Sequence, residues 1–103
     1  MSAYYALLLV HLHFPHAGSL KAKRKELASI KAQLHTRLGA TAAECAHQDT
    51  WQRATLAVAL CSGDLRMLDE ATDRVERWLD ARCPQGVRVQ RRVTSFEEIG
   101  GLA

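Results

Sequence analysis

Along this chain apolar and polar positions follow two rhythms, one of period two and one near 3.6, and the switches between them mark six elements. Tyr4–Phe14 is a continuous apolar, β-prone run that reads as a central strand. Leu8, Val10, Leu12 and Phe14 form its better core set, which leaves Leu7, Leu9, His11 and His13 on the other face. Pro15-His16-Ala17-Gly18 is a loop, and Ser19 caps a helix predicted to run to about Leu38. Leu20, Leu27, Ile30, Leu34 and Leu38 share one face of that helix, and Gly39 is a suitable stop. Thr41–Gln48 reads as a second strand. Arg53–Ser62 reads as a third, in which Leu56, Val58 and Leu60 alternate with Thr55, Ala57 and Ala59. Ser62-Gly63-Asp64 supplies a turn and an N-cap for a second helix reaching about Arg82, with Leu65, Leu68, Val75 and Leu79 on one face. Pro84-Gln85-Gly86 ends it. In the last strand, Val87–Val93, the residues Val87, Val89 and Val93 alternate with Arg88, Gln90 and Arg92.

The order β-α-β-β-α-β with right-handed crossovers implies an α+β fold, a ferredoxin-like sandwich. Its four-stranded antiparallel sheet is expected in the order 4-1-3-2, with two helices on one face. A swapped or differently ordered sheet is the alternative. Residues 1–94 are expected to form a single domain and residues 95–103 a loose tail.

Composition narrows the class. The chain has 103 residues, enough for one core, with 48% hydrophobic and 24% charged residues, which is ordinary globular usage. No apolar run approaches the ~20 residues that cross a bilayer. The Tyr4–Leu12 run has no basic flank before it and no small-residue cleavage site after it, so it reads as a buried strand and not as a signal peptide. A cytoplasmic protein with no membrane association is the expectation. Cys45, Cys61 and Cys83 are odd in number, widely spaced and contain no C-x-x-C pair, which argues against a disulfide framework or a zinc ribbon. The formal net charge of +3 permits an anionic partner without demanding one.

Topology gives that charge a place. Strands one and two run in the same direction, so the loop after strand one, the start of helix one and the hairpin between strands two and three meet at one edge of the sheet. His13, Pro15, Ser19, Lys21, Lys23, Arg24, Asp49, Trp51, Gln52 and Arg53 are expected to gather there. The stretch His47-Gln48-Asp49-Thr50-Trp51-Gln52-Arg53 carries more than a turn requires. Four of the five residues from Lys21 to Lys25 are cationic, although a helix N-terminus disfavours cations and attracts anions. Ser19, Lys21, Lys23, Arg24, Trp51 and Arg53 are therefore the candidates for binding an anion or RNA, with His13, Asp49 and Gln52 in support. Each has an alternative role. Arg24 can pair with Asp49, Arg53 with Glu44 or Asp49, and Trp51 can either stack on a base or fold over the core edge.

Other chemistry is thin. His11, His13 and His16 have no fixed ligand spacing, so no metal and no cofactor are expected. Cys45 near His47 suggests a thiol–imidazole pair, but residues two apart on a strand are commonly packing neighbours. The sequence has no glycine-rich phosphate loop, no G-x-S-x-G and no H-E-x-x-H, and no catalytic residue is assigned. His11 and His13 are expected on an open, half-apolar sheet face with Ala57, Ala59 and Glu44, a surface suited to a homodimer.

Leu12-His13-x-Pro15, then Ser19-Leu20-Lys21-x-Lys23-Arg24, then Ala43-Glu44-x-x-x-Gln48-Asp49-x-Trp51-Gln52-Arg53-Ala54 resembles the YlxP-like family of uncharacterised bacterial proteins. The resemblance covers about residues 4–94 and is similar in implied fold to the sandwich above. Thr50 departs from it, standing where a larger apolar residue usually precedes Trp51. Family members are small and cytoplasmic, and some are encoded near translation and ribosome-maturation genes. The resemblance thus implies an RNA- or ribosome-linked role and supplies no catalytic residues. Three functions follow as expectations. The first is a non-enzymatic RNA- or ribosome-associated factor with no DNA specificity. The second is a homodimeric interaction module. The third is a small-anion-binding protein or enzyme at the same edge, with Asp49 and His13 as acid–base candidates. Because the open sheet carries no aromatic residue beyond Tyr5, RNA contact is expected at the edge and not across the sheet.

Overall fold

Ser19 takes an extended backbone conformation and its hydroxyl oxygen accepts the Ala22 N–H at 3.0 Å, so the first helix starts where its capping residue dictates. It stops at Gly39, whose φ of 66° lies in the left-handed region that closes helices. In the computed structural model, which describes residues 1–102 with side chains as far as residue 100, the elements are β1 (Tyr4–His13), α1 (Leu20–Leu38), β2 (Thr41–Ala46), β3 (Arg53–Ser62), α2 (Leu65–Arg82), β4 (Val87–Ser95) and α3 (Phe96–Leu102). The sheet order is β2-β3-β1-β4 with every neighbour antiparallel. Read from the other edge this is the expected 4-1-3-2, and the fold is the ferredoxin-like α+β sandwich.

The core lies between the sheet and two helices. Leu8, Val10, Leu12 and Phe14 of the first strand segment meet Leu56, Val58 and Leu60 of β3, then Leu27, Ile30 and Leu34 of α1 and Leu68, Val75 and Leu79 of α2. Each fully buried leucine or valine contributes about 1.5–3 kcal/mol. Leu65, expected in this core, is largely exposed. Thr72 takes a buried place instead, its hydroxyl donating to the Leu68 carbonyl at 2.7 Å. Leu20 and Leu38, at the ends of α1, are half-buried.

Four boundaries differ from expectation. β1 ends at His13, one residue early, although the Phe14 N–H still donates to the Gln52 carbonyl that follows in the β1–β3 register. β2 ends at Ala46 and not at Gln48. A bulge between Glu44 and Ala46 and a left-handed His47 (φ 64°) break the ladder there. β4 runs on to Ser95. The segment 95–103, expected to be loose, instead carries α3, where Ser95 Oγ accepts the Glu98 N–H at 3.2 Å and the Phe96 N–H reaches the Ala3 carbonyl. Its last residue, Ala103, lies outside the described residues. Among the described residues no helix is long and apolar enough to cross a membrane.

Candidate functional site

The rim forms where β1 and β2 end. His13 stands opposite Arg53 in the β1–β3 register. The Phe14 N–H donates to the Gln52 carbonyl at 2.8 Å, and Gln52 Nε2 donates to the Pro15 carbonyl at 3.3 Å. These bonds tie the β1–α1 loop to the β2–β3 hairpin. On the other side of His13, its N–H donates to the Gly86 carbonyl at the start of β4. Two segments 37 residues apart in sequence are thus fastened at one end of the sheet, by one backbone–backbone bond and one from the Gln52 side chain.

Lys23 is the third fastening, and it corrects the expectation. It was expected to contact an anion, yet its side chain is fully buried. Its ammonium donates to the carbonyls of His47 (2.7 Å), Gln48 (3.4 Å) and Arg53 (3.0 Å), one for each of its three protons. Glu44 Oε2 lies 3.0 Å away and supplies the counter-charge without a hydrogen bond of its own. Lys23 therefore closes the hairpin from within and offers nothing to a ligand. Glu44, expected on the open sheet face, points to the helical side to meet it. The structural signal was present in the sequence: Lys23 lies three residues after Leu20 and four before Leu27, in phase with the core stripe.

The remaining cations stay outside. Lys21, Arg24 and Arg53 are exposed, and no ion pair holds any of them among the described residues. The pairings of Arg24 with Asp49 and of Arg53 with Glu44 or Asp49 do not form. Glu26 on α1 pairs with Arg82 of α2 at 3.3 Å. Arg24 stands about 160° around the helix from Glu26, on the flank away from α2 and toward edge strand β2. Ser19 uses its hydroxyl oxygen as a cap. Trp51 is 52% exposed and does not pack on the core, so it is not a lid. Thr50, Trp51 and Gln52 line a shallow surface hollow, and a second, of about 230 Å³, lies between the β1–α1 loop and α1 beside His16 and Glu26.

His11 is occupied by hydrogen bonds to Thr55 Oγ1 (3.1 Å) and Gln90 Oε1 (2.9 Å), and His16 is exposed on its loop. Among the described residues no three His, Cys, Asp or Glu side chains converge as a metal site would need. Sequence reasoning overlooked Arg91. It falls in phase with Val87, Val89 and Val93, faces the helices, and donates to Asp73 (2.7 Å) and Glu76 (2.8 Å) of α2, with Asp69 at 3.4 Å. Partial burial disfavours its charge, but the hydrogen bonds to Asp73 and Glu76 and their negative charge outweigh that and raise its pKa.

A family model described as "Protein of unknown function (DUF503)" matches residues 6–92. The "Uncharacterized protein YlxP" of Bacillus subtilis (strain 168) is 32% identical over 81 residues, covering 79% of this chain and 84% of that protein. Among solved structures, the "De novo designed protein Foldit4" superposes with a TM-score of 0.56 over 89% of this chain and 96% of its own; at 10% identity this likeness concerns the fold alone.

Proposed function

The chain belongs to the DUF503 family of proteins of unknown function, and from that premise we propose that it is a non-enzymatic RNA-associated factor which grips phosphates at the rim. The observation that carries the reading is an exposed indole, Trp51, at the end of the sheet where Arg53 begins β3 and Lys21 and Arg24 stand in the first turns of α1, all three cations exposed and without an ion pair among the described residues. Such a surface suits a single strand, whose bases stack on an aromatic ring while its phosphates track positive charge. Binding of this kind needs a rigid rim and no nucleophile. Lys23 contributes by holding the hairpin's shape.

Phosphate contact releases counterions, so the test is salt dependence. A fluorescent single-stranded RNA titrated between 50 and 200 mM salt is expected to give a log–log slope of about −2, roughly −0.7 for each of three contacts. Arg24→Ala and Arg53→Ala are each expected to flatten the slope by about 0.7, and Trp51→Ala to weaken binding by about 1–3 kcal/mol. Undetectable or salt-independent binding, on free RNA and on ribosomal particles alike, would remove this reading.

A further inference from the structure

The face of the sheet turned away from α1 and α2 is uncovered. Two rows of residues cross it in register. One runs Arg92–Leu7–Ala59–Thr41 and the next Gln90–Leu9–Ala57–Ala43. Because β3 and β2 carry alanines where β1 carries leucines, the leucines form a wall and the alanines a floor. The result is an apolar hollow of about 370 Å³, with Leu7 and Leu9 each more than 40% exposed. On its β4 side stand Arg92 and, four residues away on the same face, Arg88, both exposed. Every charged side chain that the pleat puts on this face is cationic. Glu44, the one carboxylate of the four strands, faces the helices.

The other face of the same sheet shows what such a surface accepts. There α2 lays an apolar ridge, Leu68, Val75 and Leu79, onto the sheet. One residue beyond the buried Leu68, Thr72 and Val75, the acids Asp69, Asp73 and Glu76 form a flank, and Arg91 of the edge strand meets all three. Arg88 and Arg92 stand on that same edge strand, but on the uncovered side and, among the described residues, without carboxylate partners. A helix about 10 Å across spans two strands about 4.8 Å apart, which matches a ridge seated along the alanine floor with one flank over β4.

We infer that the uncovered face docks an amphipathic α-helix of a partner protein, its apolar ridge on Leu7, Leu9, Ala57 and Ala59 and an acidic flank on Arg88 and Arg92. A symmetric pairing with a second copy fits less well, because it would stack two faces whose strands present arginines and no carboxylate. This inference stands apart from the rim reading and uses none of its residues.

The experiment places a photo-crosslinking benzoylphenylalanine at Thr41, on the border of the hollow. The full chain is irradiated in host lysate, and the crosslinked segment is sequenced by mass spectrometry. The expected segment belongs to another protein, with apolar residues at three-four spacing and Asp or Glu along one flank. A synthetic peptide of that segment is expected to shift the Leu7, Leu9 and Ala57 resonances of labelled protein. Its affinity should fall about tenfold or more in an Arg88→Glu/Arg92→Glu variant, and again in Ala57→Trp, which fills the hollow and leaves the charges. Both variants alter exposed residues, and circular dichroism checks that they fold. Crosslinks to a second copy, to RNA, to lipid or to segments without that pattern, or no crosslink at all, would overturn the inference.

Discussion

A fully buried lysine is uncommon, and Lys23 shows what makes one tolerable. Its charge is matched by Glu44 and its protons by three carbonyls, so the ammonium is fully satisfied, while Glu44 Oε2 is held by the 3.0 Å charge contact without a hydrogen bond. Removing one partner is the damaging change. Lys23→Met keeps most of the volume but leaves the Glu44 carboxylate without its counter-charge and three carbonyls without donors. We expect a loss of about 3–5 kcal/mol, read as a lowered urea midpoint. Lys23→Met/Glu44→Gln should recover part of it, because the stranded charge is gone. A Lys23→Met protein within about 1 kcal/mol of the parent would contradict the fastening. The same residue shows how chemistry misleads when phase is ignored: a lysine among lysines reads as surface, yet its position between Leu20 and Leu27 puts it inside.

At the scale of elements, the sheet order and both long helices were legible because their determinants are local: Ser19 and Asp64 as caps, Gly39 as a stop, and alternation in Leu56–Leu60. What was not legible depends on partners distant in sequence. β2 stops short because the hairpin bends to meet Lys23, and nothing within Thr41–Gln48 announces this. The rim was foreseeable as a gathering of segments, since parallel β1 and β2 must end together. Helix phase marks Lys23 as the inward cation, but the hairpin carbonyls and Glu44 that receive it were not foreseeable, because those partners are distant in sequence. Arg91 is a third case: period two predicts it inward, and only the acidic flank of α2 makes that place acceptable. Its guanidinium ties edge strand β4 to α2, with partners one-third to one-half exposed. Arg91→Met, which retains the alkyl stem, should therefore cost only about 1 kcal/mol at low salt, and the difference from the parent should shrink in 1 M salt. An equal difference at both salt concentrations, measured by denaturant unfolding, would assign Arg91 a packing role instead.

As a whole the molecule is a two-layer slab, 19 Å in its shortest dimension, with a radius of gyration of 14.5 Å against about 13 Å for a compact chain of this length. A slab this thin has a single core, so one buried ionisable group can influence global stability. Cys83, which follows α2, is such a group. Burial pushes its thiol pKa above the ordinary 9.0; nearby Arg82 opposes this, and Glu26 and Asp80 add to it. The unfolded thiol therefore ionises first while the native one keeps its proton. Its contribution is intact below about pH 9 and is lost as pH climbs through the raised native value. Stability should decline on the alkaline side, and Cys83→Ala should flatten that decline in thermal unfolding followed from pH 8 to 10.5. A thiol reagent should modify exposed Cys45 and Cys61 at once and Cys83 only on unfolding, whereas immediate modification of all three would contradict its burial. The oxygens that Lys23 grasps belong to the main chain, which every amino acid carries. The tip of the hairpin can therefore exchange its side chains at 49, 50 and 51 without loosening this anchorage, so natural variation is free to reshape the surface of the tip while the architecture beneath it stays put.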